Sequence, residues 1–163
     1  MWWLLLIVLT GCAQVPLVEG THLTTLSSAP LTLMVVGDPP EAVHAAITIL
    51  HRAGHRIVAR PQLQPTSASE TDALTLGQSL GVDQIIVIHA TVTPEVHGSS
   101  VNGIGFMATN YHITIIANGI DAAHGDILWS SRAQFPHAIA NPSKHLDALM
   151  TTALLGLSHR NNH

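Results

Sequence analysis

The chain has 163 residues, 47% of them hydrophobic and only 10% charged, with six Lys and Arg against ten Asp and Glu for a formal charge of -4. That length suits one domain with a real core, since about 150 residues bury roughly 70% of their unfolded surface. The lack of a basic cluster argues against nucleic acid as a partner, the single cysteine excludes an internal disulfide or a Cys-based zinc site, and beyond the leader no run approaches the ~20 apolar residues of a spanning helix.

Residues 2–9 are an apolar block of signal-peptide length, followed by Thr10, Gly11 and Cys12. Leu9-Thr10-Gly11-Cys12 resembles the bacterial lipobox, an aliphatic, small, small, cysteine pattern. The resemblance implies that residues 1–11 are a lipoprotein signal peptide cut before Cys12. It also implies that the Cys12 sulfur carries a diacylglyceryl group and that the freed amine is acylated. The thiol is then consumed as an attachment point, and this covalent lipid is the only prosthetic group expected. No Lys or Arg precedes Cys12, so the α-amino group supplies the positive end of the leader. Ala13 rather than Asp follows the cysteine, which resembles Gram-negative lipoproteins passed on to the outer membrane; its periplasmic face is the expected location.

Residues 13–30 mix Pro, Gly, Ser and Thr without sustained periodicity, so residues 12–30 are expected to be the lipidated cysteine and a flexible tether. A periplasmic domain over residues 31–157 and a disordered tail over 158–163 follow. "LTLMVVG" (31–37) predicts a strand buried on both faces. Asp38 is placed to cap a helix with Pro39 and Pro40 in its first turn, Val43, Ala46, Ile47 and Leu50 on its apolar stripe, and Gly54 as its stop. "HRIVAR" (55–60) predicts a second strand. Ser69 and Asp72 have capping-box spacing at the head of a short helix ending at Gly81. "DQIIVIHATVT" (83–93) predicts a third strand, and Asn102-Gly103 predicts a two-residue hairpin turn into "TNYHITIIANGID" (109–121). "ILWSSRAQF" (127–135) alternates as a further strand, and Asn141-Pro142-Ser143 opens a last helix with Leu146, Leu149, Met150, Ala153 and Leu154 at helical spacing. The order β-α-β-α-β-β-β-α predicts an α/β (α+β) fold in two or three layers: two crossovers, then an antiparallel meander.

Twelve histidines invite a metal site, with His44, His51 and His55 at i, i+7 and i+11 on one helical stripe. His44 and His51 would stand about 10.5 Å apart along a helix axis, too far for one zinc, and Gly54 ends the helix before His55. Solvated histidines replacing Lys and Arg on the surface are the simpler expectation. A turn centred on Asn102-Gly103 places His89 opposite Ile116 and His112 opposite Thr93. No GxSxG elbow, HExxH pattern or strand-to-helix glycine loop is present, so catalysis is not expected. Ile104, Phe106 and Met107 sit beside the hairpin turn, where they either insert into a partner or membrane or fold back as core.

"LGVDQIIVIHATVT" and "ITIIANGIDAAHGDILWSSRAQF" resemble the strand and closing hairpin of periplasmic lipoproteins related to the curli secretion channel. The penicillin-binding-protein activator lipoproteins and the amino-terminal domain of the Tol-Pal system's periplasmic protein are similar in organisation. The matching positions are Gly81, Val82, Asp83, Ile120, Asp121, Gly125, Asp126, Ile127, Leu128 and Trp129, and the likeness spans roughly residues 31–156. It implies an outer-membrane-anchored lipoprotein that binds an envelope protein partner, or copies of itself, in envelope assembly or secretion. The alternative function is a His-rich periplasmic protein that binds metal or responds to pH.

Overall fold

The computed structural model describes residues 17–22, 26, 29–58, 70–101 and 104–155. The signal peptide, Leu9, Thr10, Gly11 and Cys12, the turn residues Asn102 and Gly103, and the tail over 158–163 lie outside the described residues. In chain order the elements are β1 (Leu17–His22), β2 (Thr32–Asp38), α1 (Pro40–Arg52), β3 (Arg56–Ile57), α2 (Glu70–Leu80), β4 (Gln84–Val101), β5 (Ile104–Asp121), β6 (Ile127–Gln134), a 3-10 turn (Pro142–Lys144) and α3 (Leu146–Leu155).

One mixed sheet orders them β1-β6-β5-β4-β2-β3. β2 runs parallel to β3 and to β4, and β4-β5-β6 is an antiparallel meander, so the expected α/β topology is the one observed. Consecutive side chains of a strand face opposite ways, and the aliphatic runs of β2 and β4 therefore feed two cores. Leu33, Ile86 and Ile88 pack with Ile113, Ile115, Trp129, α1 and α3; Met34, Ile85 and Val87 pack with Ile120 and the Ala73 side of α2. The result is three layers, with α1 and α3 on one face of the sheet and α2 on the other. Fully burying one such Leu or Ile contributes about 1.5–3 kcal/mol, so the central strands carry much of the stability.

Four expectations change. Residues 17–22 are not tether but edge strand β1, paired antiparallel with β6 from Leu17↔Gln134 to His22↔Trp129. The outer edge of β6 would otherwise show an unpaired row of N–H and C=O groups, and a six-residue strand satisfies them. α1 buries Ala42, Ala45, Ala46, Ile49 and Leu50, a stripe rotated by about one residue from Val43, Ala46, Ile47 and Leu50. Its alanines let the helix lie close on the sheet. Asp38 ends β2 rather than capping α1, whose N-cap is Pro39 with no side-chain hydrogen bond. The second strand is also shorter than residues 55–60, reduced to Arg56–Ile57.

The end of α1 decides the fate of His55. Gly54 takes φ 94°, its N–H donates to the His51 carbonyl at 3.1 Å, and the His55 N–H donates to the Leu50 carbonyl at 3.1 Å. This double return of the chain is a Schellman stop. It throws His55 inward, where it is buried and its Nδ1 accepts the Leu31 N–H at 3.3 Å.

Candidate functional site

β4 and β5 are each 18 residues long and pair without interruption from Gln84↔Asp121 to Val101↔Ile104. The register sets His89 opposite Ile116 and Thr93 opposite His112, as the two-residue turn requires. The rest of the sheet stops short of this hairpin. β2 accompanies β4 only as far as His89, and β6 accompanies β5 only from Thr114 onward. One further bridge braces the base: the Tyr111 N–H donates to the Ile139 carbonyl at 2.8 Å and the Ile139 N–H returns the bond at 2.9 Å. Outside that bridge the strands project as a two-stranded ribbon.

The ribbon's two faces differ in chemistry. Partners across an antiparallel pair share a face, so Val92, Pro94 and Val96 lie with Ile113, Tyr111 and Thr109 on the continuation of the Trp129 core face. Val92 and Val96 are exposed there. On the other face Glu95 Oε2 is shared by two imidazoles, His112 Nε2 at 3.0 Å and His97 Nε2 at 3.4 Å, all three side chains about half exposed. Toward the turn β5 carries exposed apolar side chains on both faces: Ile104 is 62%, Phe106 55% and Met107 81% exposed. These three residues therefore do not fold back as core. The Glu95 cluster lies beyond the strand expected over 83–93, yet the diagonal of Glu95 to His112 is implied by the register that sets Thr93 opposite His112.

The histidines named as a possible metal set are not brought together. His44 and His51 are exposed on α1, whereas His55 is buried beyond its end, where desolvation lowers its pKa. Among the described residues no group of three His, Cys, Asp or Glu is placed to hold a metal ion. A cleft of about 250 Å³ between α2 and the β5–β6 turn is lined by Thr71, Ala73, Leu74, Ile85, Ile120, Gly125 and Ile127, and it presents no acid, base or thiol.

At that turn Gly125 takes φ 79°, and the Asp121 carboxylate caps the Ala123 N–H at 3.2 Å and bonds the His124 imidazole. Hydrogen bonding to Asp121 raises the His124 pKa above 6.5, and bonding to His124, then to the Ala123 N–H, lowers that of Asp121 below 3.8. The imidazole's share of stability is complete below its unfolded pKa of about 6.5 and is lost as pH rises through the raised value. The carboxylate's share is complete above its unfolded value and is lost as pH falls through the lowered one. The turn is therefore held best between roughly pH 4 and 6.5. Asp121→Asn is expected to return the His124 titration, followed by NMR of its ring protons, to the ordinary imidazole range; an unshifted titration would contradict the assignment.

No protein-family model matches the chain, and no curated protein matches it in sequence. Solved structures do match it. PelC from Paraburkholderia phytofirmans, solved as a dodecamer, superposes with a TM-score of 0.57 at 15% identity over 89% of this chain and 99% of its own. This chain shares the fold of PelC. A second crystal form of the PelC dodecamer gives a TM-score of 0.54 at 18% identity, over 90% of this chain and 99% of PelC. Lipoprotein GNA1162 from Neisseria meningitidis is more distant, at a TM-score of 0.48 and 18% identity over 82% of this chain and 100% of its own. At such identities the likeness to PelC concerns the backbone alone, and the ribbon's side chains have to be read for themselves.

Proposed function

We propose that the chain is an outer-membrane lipoprotein, anchored through Cys12, whose periplasmic domain associates with other protein chains in envelope assembly or secretion, a second copy of itself first among them. The observation that carries this reading is the ribbon. It exposes Val92 and Val96 on an apolar face that continues the domain core, and soluble monomers seldom leave such a face open. Support also comes from the fold shared with PelC, a protein solved as a dodecamer, and from the lipobox pattern ahead of Cys12. Holding the domain in a membrane plane raises its concentration near partners without any new contact.

Photo-crosslinking from position 96 in intact envelopes tests the association. An adduct at a multiple of the subunit mass is expected, and Val92→Glu on the same face should reduce it at least about tenfold, because a charge buried without a partner costs well over 1.4 kcal/mol. A probe at Val96 that stays uncrosslinked would refute the proposal. The alternative of a His-rich protein that binds metal or responds to pH keeps one specific observation, the Glu95 carboxylate shared by the His97 and His112 imidazoles.

A further inference from the structure

The register of the sheet fixes the end of the domain at which β1 begins, five residues after the proposed anchor at Cys12. β1 is antiparallel to β6, and its first residue, Leu17, pairs with Gln134, which pairs in turn with Thr114, the partner of Thr91. The chain therefore enters the sheet at the end from which the β4–β5 ribbon projects. Only five peptide steps separate Cys12 from Leu17, a reach of at most about 18 Å however the intervening residues run. From the same level the ribbon continues ten positions, Thr91 to Val101, or about 33 Å at the strand rise of ~3.3 Å per residue. Measured from that level, the ribbon's tip lies roughly 15 Å farther out than the longest possible reach of Cys12.

Composition agrees with that geometry. Between Glu95 and Asp121 the sequence has no Lys, Arg, Asp or Glu, and on the β5 side of the turn Ile104, Phe106 and Met107 are exposed, beside the small uncharged run Gly98-Ser99-Ser100 of β4. We infer that the ribbon's tip is a second membrane contact, with Ile104, Phe106 and Met107 seated at the headgroup–acyl boundary of the bilayer that holds the Cys12 lipid. This inference rests on the proposed anchor at Cys12. The depth is limited by the backbone. Both outer edges of the ribbon carry unpaired N–H and C=O groups, which are costly to place in hydrocarbon, so the tip enters the interface and does not cross. The polar face with Glu95, His97 and His112 lies behind the tip, where it stays hydrated. The tip also gives orientation: a flexible acyl anchor leaves the domain free to swivel, and a second contact about 33 Å out along β4 stands it at a defined angle to the membrane.

The test uses the full acylated chain in vesicles of phosphatidylethanolamine and phosphatidylglycerol. With Cys12 blocked by lipid, Met107→Cys provides a single thiol for an environment-sensitive fluorophore, Ile104→Cys a second site in a separate sample, and Ala123→Cys a control in the turn at the opposite end of the sheet. All three replaced side chains are exposed, so folding is not at stake. The expected result is a blue shift and loss of most emission to lipids carrying a nitroxide near the headgroup for the labels at 104 and 107, and no loss for the label at 123. Labels at 104 and 107 that remain as unquenched as the control, on protein that floats with the vesicles and whose Cys12 is acylated by mass spectrometry, would overturn the hairpin contact while leaving the anchor intact. An unmodified Cys12 would overturn both.

Discussion

Trp129→Ala is expected to destabilise the domain by about 3–5 kcal/mol and to lower its melting temperature by about 10–15 °C. Trp129 is the largest fully buried side chain among the described residues, and it stands in β6 in the core formed with β4, β5, α1 and α3. Its indole packs against β5 at Gly119: a Cβ added there would come within 2.1 Å of the indole Nε1. The indole N–H meanwhile donates to the Gln84 side-chain carbonyl at 3.4 Å, so the ring is held from below by glycine and at its rim by a polar partner. Removing the ring leaves a large cavity that the surrounding strands, fixed by their ladders, close only in part. Gly119→Val tests the same slot from the other side and is expected to destabilise by a similar amount, since the indole and not a flexible chain end would have to move. Thermal and denaturant unfolding of both variants checks the claim, and a loss under about 1 kcal/mol for either would show that the slot is not tightly filled.

Cys12→Ala is expected to move the protein from the membrane fraction to the soluble periplasmic fraction while leaving the domain folded. Each buried methylene contributes about 0.8 kcal/mol, a single acyl chain binds only marginally, and several chains on one residue hold durably. The predicted effect is thus close to all-or-none. The tip residues alone offer little apolar area and do not replace the lipid. Because β1 begins at Leu17, the proposed anchor at Cys12 would be joined to the domain by five peptide steps rather than by the eighteen-residue tether expected from composition. A short link couples the domain's position to the bilayer more tightly. Lengthening it is accordingly expected to weaken the membrane contact of the tip without changing anchoring. Persistence of the Cys12→Ala protein in washed membranes at wild-type levels would contradict the anchor.

Much of this architecture was legible in the sequence because local signals and the global fold agree. The aliphatic runs of β2 and β4 read as strands buried on both faces, and both cores use them. Asn102-Gly103 fixed the turn length, and with it the pairing of His89 with Ile116 and of Thr93 with His112. What escaped depends on distant partners. "LVEGTH" has too little alternation to announce a strand, and its reason for being one is the open edge of β6, far away in the chain. Pro94 and Gly98 disguised the length of the ribbon, since both residues are commoner in loops than in strands, yet the edges of an isolated ribbon tolerate them. His55 was read correctly as lying past the helix stop at Gly54, but its burial follows from the return of the chain toward Leu31, which no spacing rule encodes. The buried stripe of α1 was displaced by one residue because alanines, weak in any hydrophobicity count, make the closest approach.

Attachment to the membrane turns on what becomes of one sulfur atom, and the most direct measurement is the mass of the amino-terminal peptide of the protein purified from membranes. The expected peptide begins at Cys12, with a diacylglyceryl thioether on its sulfur and an acyl group on its amine. A peptide that still begins at Met1, or a Cys12 that takes up a thiol reagent, would contradict it.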